Sequence, residues 1–153
     1  MDIPKLQQEF THVLEAIGAE GALKFLNARL PHRYTAIYRL DGGVLKNLYL
    51  HDKQGEVRPE FLAEVPLTTS FCQFVLRDGF FSTESSAGDH RLDGHPYQGV
   101  MASYTGVPLT DSQGAIVGTI CHFDVIDRPM PDDEFILLQD CAKRLPAYVP
   151  GLA

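Results

Sequence analysis

The chain has little positive charge, few cysteines and no long hydrophobic run. Its 153 residues include 13 Lys and Arg against 20 Asp and Glu, which gives a net charge of −7. A surface that binds nucleic acid or an anionic membrane needs the opposite field, so we expect neither partner. No apolar run approaches the ~20 residues of a membrane helix, and the N-terminus lacks a signal-peptide core. The sequence predicts a cytoplasmic protein with one domain, residues 1–153.

The three cysteines fit neither a disulfide framework nor a zinc motif. Cys72, Cys121 and Cys141 are separated by 49 and 20 residues, and none belongs to a CxxC pair. Without an export signal we expect reduced thiols, most simply as small buried hydrophobic side chains. The chain also lacks a Walker motif and a GxGxxG loop, so no cofactor is predicted.

Hydrophobic spacing predicts helices near the N-terminus, followed by strands. Apolar residues at helical spacing indicate helices over 3–17 and 20–30, separated at Gly18. The period then changes to two over 34–40 and 44–51, on either side of Asp41-Gly42-Gly43. This pattern predicts a β-hairpin.

The rest of the chain predicts an antiparallel sheet with helices between and after its strands. A helix capped by Thr68, Thr69 or Ser70 is expected to run to about Arg77 and to end at Asp78-Gly79. The other predicted elements are a short strand within 61–67, strands over 80–84, 100–109 and 115–125, a polar loop over 85–99 with a helical turn near 90–93, and a helix over 132–145. This order indicates an α+β domain with one central sheet.

Four short motifs occur in order between the middle helix and the last strand. They are Ser70-Phe71-Cys72, Asp89-His90-Arg91, Tyr104-Thr105-Gly106-Val107-Pro108-Leu109 and Gly118-Thr119-Ile120-Cys121-His122-Phe123-Asp124. The set resembles GAF domains of the subtype found before bacterial diguanylate cyclases and histidine kinases. One step departs from that pattern, because Asp127-Arg128-Pro129 replaces the P-R that follows in the subtype.

The resemblance implies a GAF-like antiparallel sheet of five to six strands. The terminal helices would cover one face, and the short helix and long loop would cover a small-molecule pocket on the other. Residues 68–74 and 82–104 would form the walls of that pocket. The implied function is a non-enzymatic sensor or regulatory module in signal transduction. Since the sequence ends at Ala153 without an output domain, it would act on a signalling partner protein or be part of a longer chain.

A second resemblance, to free methionine-R-sulfoxide reductases, keeps a thiol-dependent redox enzyme open. Those stand-alone GAF proteins carry one cysteine near the position of Cys72, which is predicted near a helix N-terminus, where a thiol pKa can be lowered. They also carry cysteines in the loop corresponding to residues 85–99, and this chain has none there. Cys72 is therefore the candidate catalytic residue only for this alternative.

The predicted ligand contacts combine aromatic walls with a few polar groups. They are Ser70, Phe71, Phe74, Thr83, Tyr97, Tyr104 and His122. Strand alternation places Ile116, Gly118, Ile120, His122 and Asp124 on one face and Val117, Thr119, Cys121 and Phe123 on the other. It leaves open whether His122 faces the pocket or the terminal helices. It also argues against a bilin held by Cys121-His122, because neighbouring strand residues point in opposite directions.

A loop cluster and two helical stripes offer further candidate sites. Asp89, His90, Asp93 and His95 could ligate a divalent ion, but such loops are usually solvated turns, and no metal is predicted. The apolar stripes of the terminal helices predict a homodimer, with Phe10→Glu expected to dissociate it. Those stripes consist of Ile3, Leu6, Phe10, Val13, Leu14 and Ile17 in the first helix and Phe135, Leu138, Ala142 and Leu145 in the last.

Overall fold

Six antiparallel strands form one curled sheet in the computed structural model, which describes residues 1–152 and leaves Ala153 outside the described part. The spatial order is β3-β2-β1-β6-β5-β4, so the short strands β3 and β4 form the edges. The strands are β1 (Tyr34–Asp41), β2 (Val44–Asp52), β3 (Glu64–Pro66), β4 (Phe81–Thr83), β5 (Ser103–Thr110) and β6 (Ile116–Asp124). The predicted α+β class and the central antiparallel sheet are confirmed.

The hairpin β1–β2 turns where the sequence predicts it. Asp41 pairs with Val44, and Gly42 has a φ of 62°, a left-handed conformation that glycine adopts without steric cost. On its other side β1 pairs with β6. Gly118 of β6 lies opposite Arg39, and the backbone carbonyl of Tyr38 occupies the space that a Cβ at position 118 would need. The absent side chain therefore permits close contact between these two strands.

The terminal helices break and end slightly differently from the sequence pattern. The first, α1 (Ile3–Asn27), has the expected break at Gly18, whose φ of 76° and ψ of −170° are not helical. It ends three residues before the predicted Leu30, and the Asn27 side chain bonds the His32 carbonyl oxygen at 3.0 Å, across the turn that follows. The last helix, α3 (Asp132–Ala142), also ends early, in tighter backbone turns at Lys143 and Arg144. None of the described helices has the length and apolarity needed to span a bilayer.

The middle helix, α2 (Cys72–Asp78), is shorter than predicted at its start. A separate 3₁₀ turn occupies Leu67–Thr69, and the Ser70 hydroxyl accepts a hydrogen bond from the Cys72 backbone N–H at 2.8 Å. The helix ends as expected at Gly79, whose φ is 85°.

The sheet separates two hydrophobic cores. The helix-side core lies under α1 and α3 and includes Phe10, Leu14, Leu109, Ile120 and Leu138. The cavity-side core lies under α2 and the loops around it and includes Tyr34, Leu45, Val75, Phe81 and Phe123. The arrangement agrees with the predicted distribution of helices and loops over the two faces.

Most of the apolar stripe on the terminal helices packs inside the helix-side core. Phe10 and Leu145 have no exposed surface, and Leu14 is 1% exposed, whereas Ile17 is 67% exposed. Phe10→Glu would therefore place a charge in the core of one subunit and would not test association. The homodimer stays a prediction.

Candidate functional site

A cavity of about 60 Å³ lies between the sheet and residues 61–102, which we call the cover. The sheet contributes Tyr38, Leu45, Tyr104, Cys121 and Phe123. The cover contributes Phe61, Leu62, Val65, Ser70, Phe71, Cys72, Tyr97 and Met101. Among the residues that the structure describes, those lining the cavity include no Asp, Glu, Lys, Arg or His. This composition suits an uncharged molecule.

Two of the polar groups at the cavity are already engaged in holding the cover. The Tyr38 hydroxyl donates to the Leu62 carbonyl oxygen at 2.9 Å, and this bond connects β1 to the beginning of the cover. The Ser70 hydroxyl accepts from the Cys72 backbone N–H. Burial raises the pKa of Tyr38 well above its ordinary value, so its hydroxyl stays protonated and available as a donor.

Cys72 lies at the centre of a small group of hydrogen-bonding side chains. Its Sγ is 3.1 Å from the Tyr104 hydroxyl and 3.4 Å from the Thr119 hydroxyl, and the Cys121 thiol lies beside it. The Tyr104 ring reaches Cys72 by lying across Gly106, where a Cβ would stand 2.8 Å from Tyr104 Cε1. The glycine of the YTGVPL motif thus provides space for the tyrosine two residues earlier.

Hydrogen bonding distinguishes the two cavity thiols. Donation from Cys121 first, and then from Thr119 and Tyr104, lowers the pKa of Cys72, although burial opposes the shift. Burial raises the pKa of Cys121 and of Tyr104 well above their ordinary values, so both remain protonated. Cys72 is therefore the more acidic thiol of the pair.

The structure brings four of the seven predicted ligand contacts to the cavity. Ser70, Phe71, Tyr97 and Tyr104 line it. Phe74 lies just outside, with its ring 4.9 Å from the ring of Phe81. Thr83 is buried on β4 and pairs in register with Tyr104, but it does not reach the cavity.

His122 lies on the other face of the sheet, among polar groups at the end of α1. Its Nδ1 is 2.6 Å from the Thr35 hydroxyl, which also accepts from the Asn27 amide at 2.9 Å. Burial lowers the pKa of His122 to about 3, and that of its neighbour His32 to about 4, so both rings are neutral near pH 7. His122 therefore faces the terminal helices and not the cavity, which strand alternation alone could not decide.

The candidate metal ligands of the polar loop stabilise the cover or face solvent. Asp89 receives two hydrogen bonds from the Arg91 guanidinium, at 2.6 and 2.9 Å, and this pairing lowers the pKa of Asp89 to about 2. Arg91 also donates to the Ser82 carbonyl oxygen at 2.7 Å, which ties the loop to β4. The side chain of His90 is 93% exposed. In residues 1–152, no group of three or more His, Cys, Asp or Glu side chains is placed to hold a metal ion.

Comparison with known proteins identifies the fold. No protein-family model matches the chain, and no curated protein matches it. The GAF domain of a phosphoenolpyruvate-protein phosphotransferase from Coxiella burnetii superposes with a TM-score of 0.74 at 14% identity, over 97% of this chain and 92% of that chain. The chain has the GAF fold.

Other solved structures with the GAF fold include both sensors and enzymes. A GAF sensor protein from Burkholderia vietnamiensis matches with a TM-score of 0.69 at 12% identity, over 96% of this chain and 87% of that chain. A type II free methionine-R-sulfoxide reductase from Thermoplasma acidophilum matches with a TM-score of 0.68 at 17% identity, over 96% of both chains. At such identities the similarity shows the fold and leaves the activity to be argued from the site.

Apart from Tyr104, sequence reasoning missed the residues that the sheet contributes to the cavity. Tyr38, Leu45 and Phe123 were not among the predicted contacts, and Cys121 was considered only for chromophore attachment. The available signal was the alternation of Thr119, Cys121 and Phe123 on one face of β6. Choosing that face required the placement of α2, which brings Cys72 to Thr119 and Cys121.

Proposed function

We propose that this GAF-fold protein is a cytoplasmic, non-enzymatic sensor module that binds a small, uncharged molecule under the cover and passes its occupancy to a partner protein. The observation that carries the proposal is the cavity itself, with its aromatic lining and its few hydroxyl and thiol groups. An apolar pocket with a small number of placed polar groups is the usual design of a ligand site.

The size of the cavity links binding to movement of the cover. Its volume of about 60 Å³ is well below the ~150 Å³ of a cavity that accommodates benzene. A ligand with a ring must therefore displace part of the cover, whereas a molecule of a few atoms fits as the cavity stands. Displacement of the cover is a change that a partner protein can recognise.

The chemistry of the cavity favours a sensor over the second candidate, a free methionine sulfoxide reductase. Methionine sulfoxide carries an ammonium and a carboxylate group, and burying either without a charged partner is costly. The cavity lining offers no carboxylate, ammonium or guanidinium group to pair with them. The loop 85–99 also lacks the cysteines that the resemblance to those enzymes calls for.

Native mass spectrometry of protein purified from its own cells tests the proposal. We expect a bound small molecule that is lost in Tyr104→Ala, because Tyr104 is 5% exposed and forms a cavity wall. Tyr148→Ala is the matched control, since Tyr148 is 40% exposed and lies outside the cavity. Both variants are checked for folding by circular dichroism.

A titration with phenol, observed by NMR, provides a second measurement that does not depend on co-purification. Phenol is uncharged and carries one ring and one hydroxyl. Its resonance shifts should concentrate on Tyr97, Met101 and Phe123. Shifts concentrated on α1 and α3, or equal binding by the Tyr104→Ala and Tyr148→Ala variants, would contradict the proposed site.

A further inference from the structure

The two cysteines of the cavity differ from the third in position and in access. Cys72 and Cys121 both line the cavity, one from the cover and one from β6. Cys72 is 6% exposed and Cys121 is 1% exposed. Cys141 has no exposed surface and lies in the helix-side core, on the opposite face of the sheet. Of the two cavity thiols, Cys72 is therefore the more accessible to a reactant.

The surroundings of Cys72 favour its thiolate. The Tyr104 hydroxyl at 3.1 Å and the Thr119 hydroxyl at 3.4 Å can both donate to the sulfur. The Cys121 thiol donates to the Ala36 carbonyl oxygen at 3.9 Å and also acts on the Cys72 sulfur, where it lowers the pKa of Cys72. Hydrogen bonds to a charged group are stronger than those to a neutral one, so these donors stabilise the anion more than the thiol. The thiolate is also the form of cysteine that acts as a nucleophile.

The cavity selects the reactant by size and charge. A cavity needs ~10–15 Å³ to hold one water molecule, so a volume of about 60 Å³ holds a molecule of a few heavy atoms. Because no Lys, Arg or His lines the cavity and Cys72 itself becomes anionic, an anionic oxidant would enter without a cationic partner. Hydrogen peroxide is uncharged, has two oxygen atoms and hydrogen-bonds to hydroxyl groups. It fits both requirements.

We propose that Cys72 and Cys121 form a peroxide-reactive dithiol, in which Cys72 is oxidised first and Cys121 then closes a disulfide. The Cys72 thiolate attacks one peroxide oxygen, the O–O bond breaks, and the departing hydroxide takes a proton to become water. Cys72 is now a sulfenic acid, oxidised by two electrons while the peroxide is reduced. The Cys121 sulfur then attacks the Cys72 sulfur, the S–S bond forms, and the S–O bond breaks. The hydroxyl leaves as water with the proton of Cys121.

The disulfide would join the first residue of α2 to the middle of β6. The cover would then be covalently bound to the sheet at the cavity, and the thiolate would be removed from its wall. This oxidation uses the same cavity as the proposed sensor function, but it does not require the native ligand to be present. Peroxide exposure thus becomes a second signal at the same site.

Intact-mass and peptide mass spectrometry after treatment with hydrogen peroxide tests the proposal. The protein is then denatured, and free thiols are labelled with N-ethylmaleimide. The wild-type chain should lose two hydrogens, label only at Cys141 and give a peptide linked through Cys72 and Cys121. Cys141→Ser is the matched control and should form the same link.

Two single-cysteine variants separate the steps. Cys121→Ser should stop at the sulfenic acid, which dimedone traps on Cys72. Cys72→Ser, with Cys72→Ala as a second variant should the first fail to fold, should leave Cys121 reduced. Tyr104→Phe keeps the ring and should slow oxidation about tenfold, as expected for the loss of one hydrogen bond to a charged group. It should also shift the pH profile of the reaction upward.

Three results would overturn the proposal. They are full labelling of all cysteines after peroxide, a disulfide that includes Cys141, and dimedone on Cys121 in preference to Cys72. If the thiols resist peroxide while Tyr104→Ala still loses the co-purified ligand, the oxidation proposal fails and the sensor function stands. If instead the disulfide forms as expected while Tyr104→Ala loses no co-purified ligand, the sensor proposal fails and the oxidation proposal stands.

Discussion

Gly106→Ala tests whether the missing side chain at this position is what brings Tyr104 to Cys72. A Cβ at position 106 would stand 2.8 Å from Cε1 and Cζ of Tyr104 and closer still to its hydroxyl oxygen, so the side chain must move back by about 1 Å to reach ordinary van der Waals contact at 3.4 Å. The ring cannot move freely, because Phe71 packs edge-on against it with 5.6 Å between the ring centroids. Overpacking of this kind costs ~1–3 kcal/mol.

The expected result is a lower melting temperature together with a less acidic Cys72. For a domain of this size each kcal/mol corresponds to about 2–4 °C, so circular dichroism should record a fall of about 2–12 °C relative to the control. Displacing the Tyr104 hydroxyl removes a donor from the Cys72 sulfur and should raise its pKa. The pH dependence of the thiolate ultraviolet absorbance measures that change.

Gly88→Ala is the matched control for the change in backbone entropy. No atom lies within 4 Å of a Cβ at position 88, and its φ is compatible with alanine. Replacing glycine at such a position stabilises a protein by about 0.4–1 kcal/mol, and this gain is what the control measures. If both variants melt together, or if Gly106→Ala leaves the titration of Cys72 unchanged, our explanation of the YTGVPL glycine is wrong.

Two further predictions concern the helix-side core and acid stability. Leu109 has no exposed surface, so Leu109→Ala should lower the free energy of unfolding by ~2–5 kcal/mol in urea titrations, while leaving the titration of Cys72 unchanged; a loss below 1 kcal/mol would contradict its place in the core. Because burial lowers the pKa of His32 to about 4 and of His122 to about 3, the unfolded chain binds protons below pH 6.5 that the folded chain does not. Stability should therefore fall by ~1.4 kcal/mol per pH unit for each ring as the pH drops from about 6 to about 4.5; His122→Gln should remove the share of one ring, which urea titrations at each pH measure.

Local signals predicted much of the fold. The hairpin at Gly42-Gly43, the break at Gly18 and the end of α2 at Gly79 all depend on glycine conformations within a few residues of the signal. The ends of α1 and α3 were wrong by three residues each, because they depend on interactions that helical spacing does not contain. At Asn27, for example, the side chain is hydrogen-bonded to Thr35 on β1 and to Lys53 beyond β2.

The candidate site could be predicted only in part. Ser70, Phe71 and Tyr104 of the motifs line the cavity, since they lie on the elements that the GAF resemblance puts there, and their contact with a ligand stays a prediction. The alternation of side chains along a strand shows that Cys121 and His122 point in opposite directions, but it does not show which of them faces the cover. The contact between Cys72 and Cys121 joins residues 49 positions apart, and it depends on how α2 packs on β6.

The cover begins and ends next to the cavity as one uninterrupted stretch of chain. Residues 61–102 follow β2 and precede β5 in the chain, and they include the two three-residue edge strands of the sheet. The helices α1 and α3 and the four longer strands lie outside this stretch. More than half of the lining residues belong to it. Ligand preference can therefore diverge by substitution within a single contiguous segment, without disturbing the helix-side core. For the same reason, exchange of residues 61–102 between GAF-fold proteins is a natural way to transfer binding specificity.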